Sequence, residues 1–124
     1  MKSLIAAAAV IVVTGSAFAQ SGEASRGQRV FNTQCKTCHT VEKGGAQPVG
    51  PNLNGLFGRK AGTLPGFEFS DAMKASGIVW DEATLAEYVR DPKAKVPAGK
   101  MAFVGVKNPA QLADLIAFLK EATK

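Results

Sequence analysis

The chain has 124 residues, a formal net charge of +5, 46% hydrophobic residues and 20% charged ones, and 2 cysteines. That size fits one small domain with a limited core of its own. The basic excess is modest and no Lys/Arg block occurs, which excludes a nucleic-acid-binding protein of the usual kind and favours acidic protein partners.

In chain order, Met1-Lys2-Ser3, the apolar run Leu4 to Val13, the polar break Thr14-Gly15-Ser16 and Ala17-Phe18-Ala19 read as a secretory signal peptide. Residues 1–19 are therefore assigned to the leader and 20–124 to the mature domain. The apolar run is shorter than the roughly 20 residues a bilayer span needs, so an uncleaved anchor is the alternative. Cleavage removes Lys2, and with it one positive charge.

From Gly22 to Gln34, Ala24, Gly27, Val30 and Phe31 recur at helical spacing and predict an amphipathic first helix. An internal Gly costs about 1 kcal/mol against Ala, which Gly27 repays if another helix crosses closely there. Its expected partner is the last helix. Asn108 is positioned to cap that helix, Pro109 to take its first position and Gln111 to complete a capping box. Leu112, Leu115, Ile116 and Leu119, with Phe118 alongside, form its apolar face.

Directly behind the first helix stands Cys35-Lys36-Thr37-Cys38-His39. Two thiols one helical turn apart are spaced to add to the two vinyl groups of a haem, and the imidazole that follows is placed to take the iron. Structural zinc would need four ligands, and beyond these three residues the chain has no other Cys or His. A thioredoxin-like pair expects a strand, a turn and a helix, whereas here a helix precedes and a Gly/Pro-rich loop follows. A disulfide across so short a loop would constrain the unfolded chain little. A haem-free Cys35/Cys38 dithiol stays open as the alternative. With both thiols on haem c, no structural disulfide is expected, and the macrocycle becomes the centre of the small core.

The stretch between His39 and Phe69 is dense in Gly and Pro and predicts a tightly turning loop. Ser70 caps a short helix from Asp71 to Ser76 that Gly77 ends; Asp81 caps a longer one through Leu85, Tyr88 and Val89 that Pro92 ends. Asp91 to Pro109 reads as loop, and no stretch alternates as a strand. The fold class is all-α, with three to five helices, the first and last crossing, and long Gly/Pro loops wrapped around one covalent haem.

Iron with one axial histidine needs a sixth ligand if it is to carry electrons without binding small molecules, and a thioether is the soft ligand that favours the ferrous state. In the mature chain only Met73 and Met101 qualify. Met101 lies on the Pro/Gly-shaped loop and is the expected ligand; Met73, on a short helix, reads as core filler.

These segments together resemble the class I c-type cytochromes, the family of mitochondrial cytochrome c and of the periplasmic bacterial cytochrome c2 group. The resemblance is carried by Cys35 to Gly45, Gly50-Pro51-Asn52-Leu53, Gly55 to Lys60, Gly77-Ile78-Val79-Trp80, Pro97 to Phe103 and the terminal helix from Asp114 to Lys120. It implies that His39 and Met101 are the axial iron ligands and that the Pro51 carbonyl accepts the second ring N–H of His39. It further implies that Arg59 and Trp80 bond a buried haem propionate and that Tyr88 points its hydroxyl at the Met101 sulfur.

Three positions depart from the mitochondrial pattern. Phe69 replaces a tyrosine, Met73 an asparagine and Gly99 a threonine, which predicts a looser polar network and a more mobile Met101 loop. Arg29, Lys36, Lys93, Lys100 and Lys107 fall on segments that the family places around the haem edge, and imply a docking face for acidic redox complexes. Gln34, Pro48 and Asn108 stand where lysines are usual, which thins that ring.

The function implied is a periplasmic, monomeric, single-electron carrier between a membrane quinol-oxidising complex and an oxidase, peroxidase or photosynthetic reaction centre. It is not an enzyme and has no small-molecule substrate, because both axial positions are filled and no other catalytic set is present. The second reading is a five-coordinate haem protein, with Met101 unbound, that takes a gas or a peroxide.

Overall fold

The computed structural model describes residues 3–11 and 22–124. Five α-helices follow one another: α1 (Ala24–Gln34), α2 (Asp71–Ala75), α3 (Glu82–Arg90), α4 (Pro92–Lys95) and α5 (Pro109–Ala122). No strand occurs among the described residues; the sole extended pairing is an antiparallel bridge between Lys60 and Val79. The expected all-α class is therefore observed.

Residues 3–11, the apolar part of the expected leader, carry no regular structure and are exposed, Leu4 by 97%. The expected cleavage segment Ala17-Phe18-Ala19 lies outside the described residues. Among the described residues no helix is long and apolar enough to cross a membrane.

Local capping chemistry sets most helix starts. The Ser70 hydroxyl accepts the Met73 N–H at 3.1 Å and opens α2. Asp81 and Thr84 close a reciprocal box at the start of α3: the carboxylate accepts Thr84 N–H at 2.7 Å and the Thr84 hydroxyl accepts Asp81 N–H at 2.9 Å. At α5, Asn108 Oδ1 accepts the N–H groups of Ala110 and Gln111 at 2.9 and 3.1 Å. The expected return bond from the Gln111 side chain is not made among the described residues, so Asn108 caps alone.

Two further expectations are corrected. Helix α1 starts at Ala24, two residues after the expected Gly22, and its N-cap Glu23 makes no side-chain cap bond. Instead Asp114 of α5, 7% exposed, accepts the Glu23 N–H at 2.7 Å and the Arg26 Nε–H at 3.0 Å. The second correction falls in the expected loop after Asp91, which contains α4. Asp91 Oδ1 accepts the Ala94 N–H at 3.3 Å and Pro92 takes the first helical position, so the Asp-Pro pair that stops α3 also starts a further turn.

The α1/α5 crossing is the main helix–helix contact. Gly27 lies against the Asp114 backbone, Phe31 meets Phe118 with ring centroids 5.4 Å apart, and Phe31, Leu115 and Leu119 are buried. Burial of each such side chain stabilises by roughly 1.5–3 kcal/mol. The chain end is tied back as well: Gly55 N–H donates to the Thr123 carbonyl at 2.6 Å and Asn54 Nδ2 to the Lys124 oxygen at 3.1 Å. Helix α5 therefore holds both the haem motif, through α1, and the loop that carries Arg59.

Candidate haem site

The Cys35–His39 pentapeptide continues α1 as one tight turn. Cys35 N–H donates to Phe31 O at 2.8 Å, and the N–H groups of Cys38 and His39 both reach Cys35 O at 3.0 Å. Cys35 and Cys38 are half-buried and are not joined in a disulfide. Burial pushes the Cys35 thiol up to about 11, and the neighbouring Cys38 adds to the shift. A dithiol oxidoreductase needs the reverse, a thiol lowered toward neutrality. Among the described residues no cluster of three or more His, Cys, Asp or Glu is placed to hold a metal ion.

His39 is oriented from behind. Its Nδ1 lies 2.8 Å from the Pro51 carbonyl oxygen. That oxygen only accepts, so Nδ1 carries the proton and Nε2 keeps its lone pair. Burial lowers the His39 pKa, which favours the neutral imidazole that binds iron. Gly50 is required beside it, since a Cβ there would sit 2.4 Å from His39 Cε1.

Met101 is half-buried and packs against the core together with Phe69 and Phe103. The Tyr88 hydroxyl of α3 points at its sulfur at 3.9 Å, a weak hydrogen bond to a thioether. Burial pushes the Tyr88 pKa up to about 12, so it stays a donor. Trp80 packs on Tyr88 with centroids 5.2 Å apart. Met73 is buried in the core, as a filler would be.

Arg59 and Trp80 are brought side by side by the extended pairing, in which Trp80 N–H donates to Arg59 O at 3.0 Å and Gly58 N–H to Trp80 O at 2.7 Å. The half-buried Arg59 guanidinium donates to the Asn54 carbonyl at 3.0 Å and lies 3.5 Å from that of Asn52. Burial lowers its pKa, and no carboxylate pairs with it among the described residues. A half-buried cation with donors to spare, on a segment whose backbone pairs with that of Trp80, suits an anionic group such as a haem propionate. The residues present thus fit a covalently held haem.

The five expected docking cations divide into two sets. Arg29 and Lys36 are exposed. Lys93 Nζ donates to Gly99 O at 2.6 Å, Lys107 Nζ donates to Arg90 O at 2.8 Å and lies 3.6 Å from Asp91, and Lys100 Nζ donates to Glu68 O while standing 5.1 Å over the Phe67 ring. Lys93 and Lys100 therefore bond the stretch directly before Met101 to its surroundings.

Sequence reasoning gave no role to Asn52, Asn54 or Thr123, whose bonds form the back of the site. The one available signal was an asparagine next to the expected carbonyl partner of His39. An open groove between α3 and α5, lined among others by Ala86, Leu112 and Ile116, takes in Lys107 but none of Cys35, Cys38, His39, Arg59, Trp80, Tyr88 or Met101.

The family model for cytochrome c matches residues 24–123. The chain belongs to the cytochrome c family. It is 50% identical over 105 residues to a cytochrome c of Sesamum indicum, covering 85% of this chain and 95% of the relative. It is 53% identical over 111 residues to a cytochrome c2 of Rhodomicrobium vannielii and 49% identical over 111 residues to one of Blastochloris viridis, each match covering 90% of this chain and 87% of the relative. As in other members of the cytochrome c family, the cofactor is one covalently bound haem c, and the chain is an electron carrier.

Proposed function

We propose that this cytochrome c is exported, its leader 1–19 removed and its domain 20–124 loaded with one haem through thioethers to Cys35 and Cys38. His39 Nε2 and Met101 Sδ would hold its iron, leaving no position open to a substrate and making the protein a carrier, not an enzyme. The observation that carries this reading is the 2.8 Å bond from His39 Nδ1 to Pro51 O, which presents Nε2 from the same turn as both thiols.

When bound, the haem supplies a one-electron iron couple. The protein's part is to orient and exclude. Pro51 fixes the imidazole, Tyr88 directs the Met101 sulfur, and Arg59 would neutralise a propionate to which the Trp80 indole would donate a hydrogen bond. Arg29, Lys36, Lys93, Lys100 and Lys107 steer acidic surfaces of membrane redox complexes. The proposed setting is the periplasm, between a quinol-oxidising complex and a terminal acceptor, with the protein acting as a monomer. The apolar run Leu4 to Val13 and the similarity to cytochromes c2 support that location.

The test is an optical spectrum of the purified protein, oxidised and reduced, with carbon monoxide added to the reduced form. A sharp c-type reduced spectrum, a far-red sulfur-to-iron band when oxidised and no response to carbon monoxide support His39/Met101 ligation. Ready carbon monoxide binding without the far-red band removes Met101 and leaves the five-coordinate reading.

A further inference from the structure

Asn52 is 8% exposed, although its side chain is polar. Its Nδ2 donates to Thr40 Oγ1 at 2.8 Å and to Glu42 O at 2.9 Å, and its Oδ1 accepts the Asn54 N–H at 3.1 Å. The backbone repeats the link, since Leu53 N–H donates to Thr40 O at 2.8 Å. Thr40 directly follows His39, and Pro51, which holds the His39 ring, directly precedes Asn52. The amide therefore fixes the spacing between the imidazole and the carbonyl it donates to.

The surroundings leave little room for another arrangement. A Cβ on Gly45 would come within 2.9 Å of Asn52 Nδ2 and 2.5 Å of Thr40 Oγ1, so the turn closes directly on the amide. The Thr40 hydroxyl spends its proton on Ala46 O at 2.7 Å and so faces Asn52 as an acceptor. A carboxylate at position 52 would point oxygen at oxygen.

We propose that Asn52 is a positioning residue for His39: it holds the Pro51 carbonyl at the Nδ1 proton and thereby tunes the donor strength of Nε2 toward iron. The inference rests on the haem reading above. A firm Nδ1–H···O=C bond makes the imidazole more basic and favours ferric iron. Loosening it weakens the ligand and raises the midpoint potential.

The experiment compares haem-loaded wild type with Asn52→Ala, Asn52→Asp, Thr40→Val and, as a control for lost stability, Asn108→Ala at the remote α5 cap. Three quantities are read: the exchange rate of the His39 Nδ1 proton by NMR, the midpoint potential, and the urea midpoint. Asn52→Ala is expected to speed imidazole exchange about tenfold, the worth of one hydrogen bond, and to raise the potential. Asn52→Asp speeds exchange further, its potential not being used because the added negative charge itself favours ferric iron, and Thr40→Val moves exchange and potential the same way as Asn52→Ala by less. Asn108→Ala lowers the urea midpoint and moves neither. Unchanged exchange and potential in Asn52→Ala, or equal changes in Asn108→Ala, would overturn the proposal. If the Asn52 variants do not fold, Thr40→Val decides alone, and a wild-type exchange rate there overturns it. Failure of the haem reading shows separately, as a wild-type protein that carries no haem.

Discussion

A Cβ built on Gly27 would lie 1.8 Å from the carbonyl oxygen of Asp114. No real contact is that short, so any side chain at position 27 must push α1 off α5, and with it the turn that carries Cys35, Cys38 and His39. Gly27→Ala is expected to destabilise by about 3 kcal/mol, the overpacking penalty exceeding the roughly 1 kcal/mol gained in helix propensity. Urea denaturation measures it, and wild-type stability would show that the helices separate freely.

Acid should attack the same crossing. The Arg26 guanidinium, and after it the Glu23 N–H, hold the Asp114 carboxyl below its ordinary 3.8. With the folded pKa depressed, the native state binds fewer protons than the unfolded chain. Its contribution is thus complete above the unfolded value and lost as pH falls through the folded one. Asp114→Asn should lower stability at neutral pH and flatten its decline below about pH 4. Urea midpoints collected across that range would refute this if both proteins declined in parallel.

Tyr88→Phe separates stability from redox tuning. The hydroxyl is buried and its partner, the Met101 sulfur at 3.9 Å, is a weak acceptor. Its loss should change folding free energy by less than about 1 kcal/mol. With no donor drawing on its lone pairs, the thioether becomes a stronger ligand to ferric iron, so the potential is expected to fall. An unchanged potential in voltammetry would mean that the hydroxyl does not act on the sulfur.

The charge face should be uneven. Lys107 stands 3.6 Å from Asp91, which offsets its field locally, whereas Lys36 is in no ion pair among the described residues. Lys36→Glu should slow association with an acidic redox partner at low salt by roughly threefold, and Lys107→Glu by less. Both effects should shrink as salt rises and the screening length falls. Stopped-flow rates that ignore ionic strength would set the docking proposal aside.

What could be read without coordinates was what is local or spaced by covalent chemistry. Ser70, Asp81 and Asn108 open helices because a cap acts within three residues, and Cys35 to His39 is legible because two vinyl groups and an iron set its intervals. Helix α4 was hidden because Asp91-Pro92 signals a stop and a start with the same letters. Asp114 as the cap of α1 was hidden because its partner lies 91 residues away. The amide of Asn52 reaches back 10 and 12 residues across a glycine turn, and no periodicity marks such a bond. The docking lysines were placed around the haem edge by family position alone, which could not show that three of their ammonium groups have carbonyl partners that only folding supplies.

The chain closes on itself at its very end. The first helix finds its apolar partner in α5, and the loop bearing Asn54 and Gly55 is tied to Thr123 and Lys124 just beyond that helix. With α5 not yet packed, the thiols and imidazole would be in place with nothing to bury them against. Cys35, Cys38 and His39 would therefore stay accessible until α5 docks. The order of assembly is written into the topology: attachment chemistry has its opening before the last helix arrives, and packing shuts it afterwards.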